Sequence, residues 1–302
     1  AMNLANPSAL VLIPLLGLLV WLRERHAGLF QARMPFPDMA VLGGVLSQSG
    51  AGVVTLNKAG AGVLQLNGAN TFTGGVTVTA GTLQFSTVSN NGGAASNLGQ
   101  GTDGITLSGG TLSFVGDTLS QSTNRAITTT ATSTLSANGT SGAVITYAGA
   151  ITTGTDFGLI LTGTGSGIIS GGITQPAGTA VADVTINSGD WKISGANSSI
   201  ADDLLLNGGT LTLENTVFSL ADDVVVTGAT SVLNLNTTGV LSAINPAGTS
   251  SGIFVRSGAV VNLNANDIYG VANANGLDFI LAGDSGGPAV GVFNTNTFNI
   301  AT

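Results

Sequence analysis

A frame of ten residues recurs along this chain and leaves few folds open to it. Each copy is an alternating triplet, a glycine-containing bend and a second short alternating run. Residues 76–85 (VTVTAGTLQF), 105–114 (ITLSGGTLSF) and 204–213 (LLLNGGTLTL) are the clearest copies. Residues 184–193 (VTINSGDWKI) form a looser one, and 224–235 and 253–263 carry one or two extra residues. Alternation with period two marks a strand with one buried face. Here each run is only three to five residues long and stops at Gly or Asn, which accept the backbone of a tight bend. Strands this short cannot bury a face alone and must stack on copies of themselves.

The copies begin at positions 76, 105, 184, 204, 224 and 253. Apart from one long gap, successive starts are separated by roughly 20 to 30 residues, a period that belongs to solenoids. At roughly 3.3 Å per extended residue, 20 residues close a coil of about 65 Å perimeter, enough for three short strands and three bends. A β-sandwich or an up-and-down barrel also uses short strands and turns. Neither has reason to repeat residue identities at a fixed offset, as SIADDLLLNGGT (199–210) and SLADDVVVTGAT (219–230) do. The expectation is an all-β, single-stranded parallel β-helix over residues 41–302.

Residues 56–83 read L-x-K-x-G-x-G-x-L-x-L-x-G-x-N-T-F-T-G-G-x-x-V-x-x-G-T-L when only the pattern is kept. This run resembles the autotransporter-associated β-strand repeat of passenger regions in type V secreted surface proteins and of large exported repeat proteins. The resemblance implies a right-handed β-helix displayed outside the cell, and it implies no activity, because the repeat itself is scaffold.

Only 7% of residues are charged, against about a quarter in ordinary domains. The chain is nevertheless 43% hydrophobic, ample for a core, and its surface must be solvated by Thr, Ser and Asn. From residue 41 onward Lys58, Arg125, Lys192 and Arg256 are the basic residues, against 13 acidic ones. Such a surface lacks the basic footprint that nucleic acid requires. With no cysteine, disulfides and thiolate metal sites are excluded.

Residues 1–40 differ in composition. From Ala9 to Leu22 runs an uninterrupted apolar segment, followed by Arg23-Glu24-Arg25-His26. Extended back to Leu4 it remains uncharged and reaches the length of a marginal membrane helix. A secretory signal carries its positive charge before the apolar run, and here the charge follows. By the positive-inside rule the C-terminal flank would face the cytoplasm, which conflicts with an exported β-helix. Asn6-Pro7-Ser8-Ala9-Leu10, Trp21-Leu22-Arg23-Glu24-Arg25 and Pro35-Phe36-Pro37-Asp38 together resemble the N-terminal membrane segment of bacterial aerotolerance-regulator (von Willebrand factor A-type) proteins. The alternative is an apolar helix capping the open end of the β-helix, since solenoid ends require caps. The expected domains are therefore a short apolar helix with linker over 1–40 and a repeat region over 41–302. Within the latter, 86–104 is expected to loop out, 115–180 to form irregular coils, 181–265 to be the most regular part, and 266–302 to lose the register.

Four stretches carry candidate chemistry. Asp202-Asp203 and Asp222-Asp223 recur at the repeat offset and would stack on adjacent coils about 4.8 Å apart. Like charges at that spacing share a cation or splay into water, and calcium, with six to eight oxygen ligands, is the cation such carboxylates suit. Gly283-Asp284-Ser285-Gly286-Gly287-Pro288 reproduces the nucleophile signature of trypsin-like proteases. The one histidine, His26, sits beside the apolar run, so the base the mechanism needs is not supplied, and a glycine-rich bend is the expectation. Asp183, Asp190, Trp191 and Lys192 come nearest to the carboxylate cluster of a carbohydrate-active β-helix enzyme, although the frame turns Trp191 inward. Thr71-Phe72-Thr73 and Thr77-Val78-Thr79 could form a flat threonine array of the ice-binding kind, but the rows are not regular across copies. The overall reading is a non-catalytic, surface-displayed structural or adhesive β-helix without a catalytic centre. Its expected partners are surface glycans, host matrix or further copies of itself, with membrane contact through residues 9–22. The alternatives are a carbohydrate-active lyase or hydrolase and a membrane-tethered scaffold.

Overall fold

The computed structural model describes residues 39–42, 46, 53–176, 183–195, 198–214, 218–220, 223–236, 252–264, 278–281 and 292–295. Their strands fall into three parallel sheets, one of eleven strands and two of eight. We call the eleven-stranded sheet I, the sheet that contains Gln121–Thr123 sheet II and the sheet that contains Leu56–Lys58 sheet III. From Ile105 to Leu235 the chain passes from III to I to II and back to III, advancing one strand in each sheet per circuit; before Ile105 the described strands alternate between III and I, and after Leu235 between I and II. This is a parallel β-solenoid, as the repeating frame requires. The apolar helix expected over residues 9–22 lies outside the described residues.

The walls are lined mainly by apolar side chains stacked in register. In sheet I one inward row runs Leu64, Leu83, Leu112, Leu135, Leu161, Ile186, Leu206, Val226, Val255. Every member is at most 2% exposed. Successive partners are unevenly spaced along the chain: Leu83 to Leu112 is a longer step than Leu64 to Leu83. Coil length therefore varies at the bends while the strand register holds. Phe85 and Phe114, neighbours in the second inward row, pack with ring centroids 5.7 Å apart.

The frame that reveals the fold does not occupy one place in it. In 76–85 and 105–114 it spans the corner from sheet III to sheet I, whereas in 184–193, 204–213, 224–235 and 253–263 it spans the corner from I to II. The frame is thus a local unit, strand, glycine bend and strand, that serves either corner. Its bend glycines have left-handed backbones: Gly81 (φ +63°) at the first corner and Gly209 (φ +79°) at the second. A Cβ on Gly81 would lie 2.5 Å from the Gly60 carbonyl oxygen of the coil below, so close stacking also demands glycine there.

Two sequence expectations are corrected. Residues 115–176, expected to form irregular coils as part of 115–180, are regular, with strands in all three sheets: Gln121–Thr123, Ile127–Ala131 and Ser133–Ala137 form one circuit, and Val144–Tyr147, Ile151–Thr153 and Leu159–Gly163 the next. The frame is hard to see there because inward positions hold Thr123, Thr129, Ser133 and Thr153, all at most 2% exposed, instead of aliphatic residues. The last residues also keep the register where they are described, since Asp278–Leu281 and Val292–Thr295 extend sheets I and II.

The segment 86–104 carries no sheet II strand but is fastened to the stack. Leu98 is fully buried. The Asn97 side-chain oxygen accepts the backbone N–H groups of Ser86 (2.8 Å) and Thr87 (3.0 Å), and its amide donates to the Gly68 carbonyl (2.9 Å). From the coil above, the buried Arg125 donates to the carbonyls of Leu98 (2.7 Å) and Asp103 (3.1 Å).

Candidate functional site

Three successive coils enter sheet I through an aspartate. Asp183, Asp203 and Asp223 each directly precede a strand (Val184–Ile186, Leu204–Leu206, Val224–Thr227), and these strands pair in register. The backbone here forms part of the ladder: Val184 N–H donates to the Asp203 carbonyl (3.0 Å) and Leu204 N–H to that of Asp223 (2.9 Å). Asp203 Oδ1 also accepts the Asp223 N–H at 2.8 Å, so one carboxylate fixes the next coil.

Carboxylate oxygens of Asp183, Asp202 and Asp203 lie within 4.8 Å of one another. Asp183 Oδ1 is enclosed by protein and has no hydrogen-bond donor. Burial raises the Asp183 pKa, the neighbouring Asp202 charge raises it further, and a backbone hydrogen bond from Asp203 partly offsets both. Of the four aspartates expected to hold a cation, Asp202 and Asp203 lie in this cluster and Asp223 is hydrogen-bonded to Asp203 through its backbone; Asp222 lies outside the described residues. Sequence reasoning did not include Asp183 in this corner. The signal for it is present, because Asp183, Asp203 and Asp223 are evenly spaced along the chain.

A folded pKa above the unfolded one makes this carboxyl unfavourable to ionise. Stability is retained below the ordinary carboxylate range and falls as pH rises through the unfolded value toward the folded one. Asp183→Asn is therefore expected to raise the melting temperature at pH 7 in the presence of a chelator, and to lose that advantage near pH 3. Paired thermal melts at the two pH values check this.

The other expected cluster does not assemble. Trp191 is 1% exposed and packs in the core, while its neighbours Asp190 and Lys192 face outward from sheet II. Lys192 Nζ pairs with Glu214 Oε2 at 3.4 Å, a half-exposed contact. Asp183 sits at the opposite end of the Val184–Ile186 strand, at the far corner of the coil. Ser285 and its neighbours, and His26, lie outside the described residues.

The threonine expectation is also corrected. Thr77, Thr106, Thr128, Thr152 and Thr174 form one row in register along the outside of sheet III, flanked by Asn57 and Ser199. Read along the chain, the variable spacing of the coils hides the row. A second row on sheet II pairs side chains directly: Asn262 Nδ2 donates to Asn234 Oδ1 (2.8 Å), and Asn234 Nδ2 to Thr212 Oγ1 (3.2 Å).

Stacked coils, a mainly apolar interior and outer faces solvated by hydroxyls and amides define the class, a parallel β-solenoid repeat protein. Residues 56–85 match the family model of the passenger-associated-transport-repeat. The matched residues are the strands Leu56–Lys58, Val63–Leu66, Val76–Val78 and Thr82–Phe85 with the bends between them, in sheets III and I. No curated protein and no solved structure matches the chain. Among the described residues, no helix is long and apolar enough to cross a membrane.

Proposed function

We propose that this chain is a non-catalytic structural or adhesive segment of an exported, autotransporter-like protein, displayed at the cell surface or released from it. The observation that carries this reading is the passenger-associated-transport-repeat at 56–85, built into the wall of a solenoid whose coils repeat the same stacking. A ladder of this kind suits a stalk: every coil is held by its neighbours, and the stack resists cleavage because few backbone groups are free. Contact with glycans, host matrix or other copies would be made by the uncharged outer rows. The test is to express the chain with its N-terminus intact, fractionate the cells and treat intact cells with protease. Release of a folded, β-rich body starting near residue 39 supports the reading; full protection of the chain inside the cell or inner membrane overturns it.

The aspartate corner favours a second element of the same reading, a structural calcium ion held by Asp183, Asp202 and Asp203. Three carboxylates on two coils supply part of the six to eight oxygens that calcium takes, and a bound ion would supply the charge that the enclosed Asp183 oxygen lacks. Millimolar calcium is then expected to raise the melting temperature of the parent chain and to leave that of Asp183→Asn unchanged. An equal response in both would remove the ion from this corner.

A further inference from the structure

The outward face of sheet I changes character along the stack. One outward row begins as Val63, Thr82, Thr111 and Thr134, then continues as Ile160, Thr185, Leu205, Val225 and Phe254. Ile280 holds the next register position. The five residues from Ile160 to Phe254 are all partly exposed, and at about 4.8 Å per coil they span about 20 Å. Scattered apolar residues on a surface need no explanation, whereas four apolar residues in one row of five, interrupted by Thr185, form a patch suited to an interaction face.

Charge decides what fits it. From Val63 to Thr227 the outward residues of sheet I include no acidic or basic side chain. One edge of the row is the aspartate corner (Asp183, Asp203, Asp223). The opposite edge carries Asn187, Asn207 and Arg256, with the Arg256 guanidinium 5.3 Å from the Phe254 ring centroid. A basic partner would be drawn to the aspartates or to Asp190 instead. A glycan finds a single aromatic ring here, and few of the polar groups that bind its hydroxyls. A second copy of this chain brings an identical uncharged apolar row, and a two-fold axis makes such a row self-complementary.

We propose that two copies pack face to face through the Ile160–Phe254 row of sheet I, with the two-fold axis parallel to the solenoid axis. The direction follows from the edges. Antiparallel stacks would lay aspartate corner on aspartate corner. Parallel stacks oppose that corner to the edge bearing Asn187, Asn207 and Arg256, which supplies amides and a cation to the partner's carboxylates. This pairing stands on the sheet's own geometry and does not depend on whether the chain is exported.

The mass of the full chain by light scattering, measured over a concentration series, is the first readout, and a two-fold mass is expected. Leu205→Glu should shift it to the monomer with an unchanged circular-dichroism spectrum, because the side chain faces outward. Thr77→Glu, the same change on sheet III, should leave the dimer intact. The chain has no cysteine, so single Thr185→Cys and Phe254→Cys variants report direction: facing sheets pack about 10 Å apart, beyond disulfide reach, and a bis-maleimide of about that span links both variants into dimers if the stacks are parallel. A monomer at every concentration, a dimer indifferent to Leu205→Glu, or failure of either cysteine to cross-link overturns the proposal.

Discussion

Trp191→Ala is expected to destabilise the solenoid by about 3–5 kcal/mol, the range for truncating a buried aromatic side chain. The cause is a fit between two coils. In sheet II the inward row reads Ile145, Gly167, Trp191, Leu211. The indole fills the space that a side chain at position 167 would otherwise take: a Cβ on Gly167 would lie 2.6 Å from the ring carbon Cε3. Gly167→Leu alone should therefore also destabilise, by about 1–3 kcal/mol through overpacking. The two changes should not add. Trp191→Leu with Gly167→Leu restores an unbroken aliphatic row and should be more stable than either single variant, which denaturant melts of the four proteins would show. The indole N–H has no acceptor in its buried setting, so replacing Trp191 by Leu loses no hydrogen bond.

Arg125→Ala is expected to cost a similar amount, about 3–5 kcal/mol, by a different route. The side chain is 0% exposed, and its guanidinium reaches the carbonyls of Leu98 and Asp103 and, at 3.5 Å, Gly104. Burial lowers its pKa and the charge of Asp103 raises it again. The residue ties the segment 86–104, which lacks a sheet II strand, to the coil above it. Its loss leaves buried carbonyls without donors and an empty site beneath the loop. Hydrogen exchange should then accelerate at residues 96–104 well before it does in the strands Ile127–Ala131 and Leu159–Gly163. Arg125→Lys should recover little, because one ammonium cannot span carbonyls that a planar fork reaches together.

The architecture is legible in the sequence because the copies at 76, 105, 184, 204, 224 and 253 keep their aliphatic inward positions and a glycine at the bend. Which corner each copy turns is not. VTVTAGTLQF and LLLNGGTLTL look alike because any strand–bend–strand unit needs the same residues, yet they belong to different pairs of sheets. The stretch 115–180 reads as irregular for a related reason. A solenoid interior tolerates Thr129, Thr153 and Gly167 when neighbouring coils fill or flank them, and hydropathy along one strand does not report its neighbours. Loop length blurs the outer rows as well. The step from Thr77 to Thr106 is longer than that from Thr106 to Thr128, so the threonine row emerges only once the register is known. At the acidic corner the reverse holds: even spacing already links Asp183 to Asp203 and Asp223, but the doubled aspartates at 202–203 and 222–223 are more conspicuous than the single one.

The scaffold reading depends on coils stacking in this register, and distances between spin labels test that most directly. The cysteine-free chain allows labels at Asn57 and Thr174, five coil steps apart on the outside of sheet III, and at Thr106 and Thr174, three steps apart. Pulsed electron resonance should give backbone separations of about 24 Å and about 14 Å, a difference of two coil spacings. Separations that fail to grow with the number of coils, or two pairs at the same distance, would contradict the solenoid and with it the scaffold function assigned to it.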